Sequence, residues 1–240
     1  MDTVKYILAK PDFIDGIGNV YPIKVSDYDE FIECSGVLNI RKEHFNEDAK
    51  PYQLLDLLIF GIGEKEKTVN SLEKLFALVT KRDVQYIENN EKYAFIIDED
   101  HFITNANYGI LRQTIMKQNL IFEQKIYKDP LVAEWAQKVL QQRSKGGVKI
   151  TIEDMLSTVS VVASKSYSEI AEMTIYQMNA DFKRITKDKD YHVAISMKCA
   201  GADKVNVNYF AEEINMFKNP YDDLFVSPDK LKNLNQAIKN

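Results

Sequence analysis

The sequence predicts an α+β fold that is predominantly helical, with small N-terminal β-hairpins among helices and a helical C-terminal region. Three observations carry this. The run from Ser166 to Cys199 contains neither glycine nor proline, and Ile175, Met178, Phe182 and Ile185 recur there at a helical period. Several shorter apolar stretches also repeat at helical spacing behind capping residues. In the first half, short blocks of strand formers flank turn-rich clusters, the pattern of hairpins.

Taken in order, Val4 to Ala9 is rich in strand formers, Asp15-Gly16-Ile17-Gly18-Asn19 is a turn cluster, and Val20 to Val25 follows as a second strand. Pro22 cannot donate to a ladder, so that strand belongs at an edge. Gly16 and Gly18 open like a dinucleotide fingerprint, but Tyr21 stands where the third glycine should be, which favours a plain hairpin. Ser26, with Asp29 three residues on, marks a helix start, with Phe31 and Ile32 on its apolar side. Pro51 begins a core helix through Leu54, Leu55, Leu57, Leu58 and Phe60, closed by Gly61 and Gly63. Leu72, Leu75, Phe76 and Val79 set a helix over Ser71 to Lys81.

Val84 to Ile87 and Tyr93 to Ile97 are the strands of a second hairpin. Asp98-Glu99-Asp100 follows; Phe102 and Ile103 occupy the places where a calcium loop needs a ligand and a glycine, so a solvated acidic turn is expected. Asn105 or Asn107 caps the next helix, which carries Ile110, Leu111, Ile115 and Met116. Asp129-Pro130 opens a helix with Leu131, Trp135, Val139 and Leu140 on one stripe. The basic loop Arg143 to Lys149, with Gly146 and Gly147, reads as a C-cap and linker or as a contact for a phosphate or an acidic partner.

Thr151 and Asp154 then cap a helix through Ala163, with Met155, Leu156, Val159 and Val162 inward. Thr174 and Gln177 have the spacing of a capping box, which opens a helix of about 25 residues. Trp135, Leu156, Phe182 and Ile185 are expected in one helical cluster. Val205 to Phe210 is a short alternating segment, and Ser227-Pro228 starts a last short helix. The organisation is an α+β N-terminal region, residues 1–120, and a mostly helical C-terminal region, residues 121–240, packed on it, also compatible with one continuous domain.

Composition bounds the function. With 45% hydrophobic and 28% charged residues, the chain is an ordinary folded protein. The net charge of −5 argues against a general nucleic-acid binder, which carries a basic excess. Cys34 and Cys199 match no metal or redox spacing and are expected as two buried free thiols in a reducing compartment. The sequence has no signal-peptide pattern and no membrane-length apolar run; the longest apolar block, Leu54 to Ile62, is broken by Asp56 and Gly61. Those features place the chain in the cytoplasm. His44, His101 and His192 sit in unrelated segments, and no nucleophile, phosphate-loop or metal motif accompanies them. The chain is therefore expected to be no enzyme and to use no cofactor and no metal.

Tyr167-Ser168-Glu169-Ile170-Ala171-Glu172-Met173-Thr174-Ile175-Tyr176-Gln177-Met178, followed by Asp181-Phe182-Lys183-Arg184-Ile185, resembles the C-terminal helical region of tail assembly chaperone-type proteins of tailed bacteriophages. Tyr21-Pro22-Ile23 and the helices around Leu54 to Phe60 and Leu72 to Val79 resemble earlier parts of such proteins. The resemblance implies a non-enzymatic protein that binds the tape measure protein in the host cytoplasm during tail assembly, with no nucleic acid or membrane partner; self-association is compatible with that role. Apolar grooves between helices would receive the partner, and Trp135, Met173, Tyr176 and Met178 are the candidate contact residues. Flexible methionines, Met155, Met197 and Met216 among them, suit an adaptable surface or fill the core. The alternatives are a permanent tail or baseplate component, or a small enzyme with an unrecognised acidic site around Asp98 and Asp100.

Overall fold

A computed structural model describes residues 3–89, 92–123, 131, 134, 138 and 150–219. The chain forms two compact units, Met1–Ile121 with Thr151–Met216, and Phe122–Ile150 with Phe217–Asn240. In the first unit the fold is α+β and predominantly helical, with two small antiparallel sheets. In the second, Leu131, Glu134 and Lys138 are helical, and Lys138 Nζ lies 2.6 Å from Glu134 Oε1 one turn away. Trp135, the Asp129-Pro130 helix start, the Arg143 to Lys149 loop and the Ser227-Pro228 helix lie outside the described residues.

The expected first strand is instead a single helical turn, α1 (Val4–Ile7). Tertiary contacts outweigh strand propensity here. Tyr6 is buried against the ring of Tyr176, with centroids 5.6 Å apart, and Gln177 Nε2 donates to the Ile7 carbonyl at 2.9 Å. The hairpin forms later in the chain. β1 (Asp12–Ile14) pairs with β2 (Gly18–Val20) around the turn at Asp15–Ile17. Gly16 at φ 73° and Gly18 at φ 90° take left-handed conformations open to glycine, so the glycine pair serves a turn. Beyond β2 the backbone is pinned singly: Tyr21 N–H donates to Val79 O at 2.7 Å, and Ile23 N–H to Asn119 Oδ1 at 3.0 Å.

A 3₁₀ turn at Val25–Asp27 precedes α2 (Tyr28–Ser35). Ser26 Oγ donates to Asp27 Oδ1 and caps nothing. Phe31 and Cys34 face inward, whereas Ile32 is exposed. α3 (Leu54–Phe60) starts three residues after Pro51, with Gln53 N–H donating to Asp56 Oδ2 at 3.2 Å. It ends at Gly61, where a Cβ would stand 2.6 Å from the Leu57 carbonyl oxygen. α4 (Lys65–Thr80) starts six residues before the expected Ser71 and closes at Lys81, which takes φ 56°.

The second sheet is a meander of β3 (Gln85–Asn89), β4 (Lys92–Ile96) and β5 (Phe102–Ile103). The acidic turn joins the last two strands. Asp98 Oδ1 accepts from the backbone N–H of Asp100 and His101 at 3.0 and 2.9 Å and lies 2.8 Å from His101 Nδ1. α5 (Asn105–Gln118) is capped by Thr104, and the expected Asn107 supplies the reciprocal bond, accepting from Thr104 N–H at 2.9 Å. Gln118 Nε2 donates to Asp12 Oδ2 and to Val20 O, both at 2.9 Å, which fixes α5 to the hairpin.

Three capped helices follow. α6 (Ile152–Ala163) starts at Thr151 with Asp154, α7 (Tyr167–Glu172) at Ser166 with Glu169, and α8 (Ile175–Cys199) at Thr174 with Gln177. The first and last boxes are those read from the sequence. The start of α8 is hydrogen-bonded into the N-terminal segment: Ile175 N–H donates to Ile23 O at 3.0 Å and Val25 N–H to Met173 O at 2.8 Å, a β-bridge of Lys24 and Thr174. Residues 205–210 are irregular; Tyr209 and Phe210 pack on Tyr191.

Truncating Phe76, which has no solvent exposure and packs edge-on to Phe95 at 5.0 Å, to alanine should cost about 3–5 kcal/mol. Phe182, half-buried on α8, should cost clearly less. Urea unfolding followed by circular dichroism checks the order; equal losses would contradict the placement of the core. The two thiols also differ. Cys199 is exposed, not buried as expected; Cys34 is buried, and burial pushes its thiol up to about 11. A thiol reagent at mildly alkaline pH should therefore modify Cys199 quickly and Cys34 only on unfolding.

Candidate functional site

The apolar residues of α6 and α8 meet without closing completely. α6 reads Ile-Glu-Asp-Met-Leu-Ser-Thr-Val-Ser-Val-Val-Ala, yet Val159 is its one buried residue. Met155 and Leu156 are half-buried, and Val161 and Val162 are 78% and 42% exposed. In α8, Ile175, Tyr176 and Met178 are buried and nothing after Met178 is. About 30 Å of helix, at 1.5 Å per residue, therefore continues past the anchored end. Phe182 and Ile185 are half-buried along it, and Val193 and Met197 are exposed.

Polar contacts hold this pair in place. Lys165 Nζ lies 2.8 Å from Asp181 Oδ2. Lys24 Nζ lies 2.5 Å from Glu172 Oε2. Arg184 donates to the carbonyls of Phe210 and, at 2.9 Å, Glu212, and Lys187 pairs with Glu212 at 3.1 Å. These contacts leave the later turns of α8 fixed along one side while their other side stays open.

The sequence-derived contact residues fall differently from expectation. Tyr176 and Met178 are buried at the anchored end of α8, where they join α8 to α1 and its neighbours, so neither presents its side chain to a partner in this conformation. The two lie on opposite sides of the helix, so this end of α8 is enclosed on both sides. Met173 is half-buried beside the Lys165 ammonium, 3.6 Å from its sulfur. Trp135 is outside the described residues. Of the other methionines, Met216 is buried and Met197 exposed. The exposed large apolar residues of the pair are thus Val161, Val162, Val193 and Met197, of which Val161, two residues from the buried Val159, faces away from the seam.

The histidines are dispersed. His44 Nδ1 accepts from Arg41 N–H at 3.1 Å. His101 belongs to the Asp98 turn, and the His101 contact holds the Asp98 carboxyl below the usual carboxylate range. His192 Nε2 is 3.5 Å from Asp188 on an exposed face. Among the described residues no group of three His, Cys, Asp or Glu could hold a metal. Asp98 is occupied in closing a turn, and Asp100 stands exposed beside it.

Sequence reading missed one polar cluster. Asp56 Oδ1 accepts from Tyr93 O–H at 2.6 Å and Asn105 Nδ2 at 2.7 Å. Burial, then the bond to Asp56, raises the Tyr93 phenol, which stays protonated and donates. An aspartate interrupting the apolar block Leu54 to Ile62 was the available signal. Its partners come from β4 and α5, 37 and 49 residues away, and local periodicity does not reach that far.

Comparison with known proteins finds two similarities. A family model described as "YomV second domain" matches residues 141–215, the stretch that includes α6, α7 and α8. The chain is 24% identical over 243 residues to the "SPbeta prophage-derived uncharacterized protein YomV" of Bacillus subtilis (strain 168), covering 97% of this chain and 96% of that protein. No solved structure matches. The matches point to a phage-derived protein family, and neither description concerns tail assembly. No helix among the described residues is long and apolar enough to cross a membrane.

The helical pair should be sensitive to acid. Hydrogen bonds from the Thr151 backbone and hydroxyl hold the Asp154 carboxyl below its ordinary value, and the Ser166 hydroxyl and backbone do the same for Glu169. A carboxyl depressed in the folded state stabilises above its unfolded value, and the contribution is lost as pH falls through the folded value. The Tm gap between the parent and an Asp154→Ala, Glu169→Ala variant should therefore be present at neutral pH and shrink on acidification. A gap that widens in acid would contradict the caps.

Proposed function

We propose that this chain is a non-enzymatic, phage-derived binding protein that acts in the host cytoplasm as a tail assembly chaperone, holding an apolar helical segment of the tape measure protein. The observation that carries the reading is the incompletely closed seam of α6 and α8, with one buried residue in α6 and none in α8 after Met178. An amphipathic partner helix laid into such a seam completes apolar burial that the chain leaves unfinished. The prophage-derived relative supports the setting. The resemblance of the Tyr167 to Ile185 stretch to tail assembly chaperones supplies the partner. A net charge of −5 keeps a loaded complex soluble by repulsion.

Co-expression with a tape measure protein from the same phage should raise that protein's soluble yield, and the complex should survive moderate salt, which screens exposed charges but leaves apolar burial intact. Val162→Asp, three residues from the buried Val159, and Met197→Asp change exposed positions, so the fold should hold while the complex weakens by about tenfold or more, the effect of some 1.4 kcal/mol. Retention of full binding by both variants would overturn the seam as the site. Finding the chain in stoichiometric amount in purified virions would favour a permanent tail component.

A further inference from the structure

A second place on the same unit has the chemistry of a recognition pocket and lies apart from the seam. It is a groove of about 510 Å³ between α3 and β4, lined by Tyr52, Asp56, Leu57, Phe60, Gly61 and Tyr93. Its volume falls in the range of ligand-binding clefts. The rings of Tyr52 and Phe60 are 58% and 51% exposed, and the Phe60 and Tyr93 rings meet edge to face at 5.5 Å.

The charge of this groove is not balanced from within. Asp56 takes its hydrogen bonds from three neutral donors: Tyr93 O–H and Asn105 Nδ2 on Oδ1, and Gln53 N–H on Oδ2. A carboxylate offers about four acceptor positions, so one remains, on Oδ2. Among the described residues no cation is paired with Asp56. The nearby ammonium of Lys65 is held by Glu88 at 2.5 Å. That ammonium also lies 4.8 Å from the Phe60 centroid, so a ring of this groove already receives one positive charge.

We propose that the groove binds a lysine or arginine side chain presented by a segment of a partner protein. The aliphatic stem lies along Tyr52 and Phe60, the charged head faces the Tyr52 and Tyr93 rings away from the Lys65 ammonium over Phe60, and one N–H donates to the open position on Asp56 Oδ2. Aromatic faces attract such cations most strongly where water is partly excluded, and a single remaining acceptor suits one N–H rather than a two-pronged fork. The chain's negative net charge favours the approach of a basic segment. The inference is independent of the partner assigned to the helical seam.

The test uses the full chain and short synthetic peptides, one with a central arginine and one with glutamine in its place, followed by NMR titration and calorimetry. The arginine peptide should bind saturably and shift the amides of Tyr52, Phe60 and Tyr93, with the glutamine peptide about tenfold weaker or more. Asp56→Asn and Tyr52→Ala should each lose about tenfold in affinity, while Glu99→Gln, an exposed acidic residue elsewhere, should bind as the parent does. Tyr52 is largely exposed, so its variant keeps the test decisive if the change at Asp56 disturbs folding. Equal binding of both peptides, unchanged affinity in Tyr52→Ala, an equal loss in Glu99→Gln, or no saturable binding would each overturn the proposal.

Discussion

Leu72, Leu75, Phe76 and Val79 form one face of α4 and have no exposure to solvent, and the rest of the first unit is arranged to keep that face dry. α2, α3, β2 and β3 all pack against α4. Phe76 meets Phe95 of β4 and Tyr108 of α5, so a single ring touches the second sheet and the helix that follows it. The hairpin enters through Val79, whose carbonyl accepts the Tyr21 N–H. Jigsaw packing of this kind tolerates little change in volume, so a disturbance of α4 reaches α2, α3 and both sheets directly.

Much of this arrangement was legible in short-range pattern. The α4 stripe, the α3 block closed at Gly61 and the Thr151 and Thr174 boxes all depend on residues within one or two turns, and periodicity and capping chemistry report at that range. Most features that escaped are set by distant partners, though the Thr104 cap is local. Val4 to Ala9 has strand composition but bends into a helical turn because Tyr6 finds Tyr176. β5 has two residues and exists only through pairing with β4. Thr104 captures the cap expected of its neighbours because its own hydroxyl meets the Ala106 N–H.

The candidate sites follow the same division. The open seam was foreshadowed by methionines and apolar residues at helical spacing, but Tyr176 and Met178 are buried at the anchored start of α8, while Val162, Val193 and Met197 are exposed. The Asp56 groove needs α3, β4 and α5 together, and no segment read alone contains it. Both places fit recognition of another polypeptide, one by apolar burial and one by charge beside aromatic rings.

The bridge between Lys24 and Thr174 has a consequence for the order in which the molecule assembles. Its flanking ion pair joins residues 148 apart in sequence. During synthesis the strand-like stretch after β2 leaves the ribosome long before its partner exists, so the Val25 amide and the Ile23 carbonyl remain hydrated until α8 begins. Closing so long a loop is entropically unfavourable, though the penalty grows only logarithmically with length. The α4 layer can form first from nearby segments, and the helical pair docks onto it last. The surface offered by α6 and α8 is therefore completed only once synthesis has passed the end of α8 at Cys199.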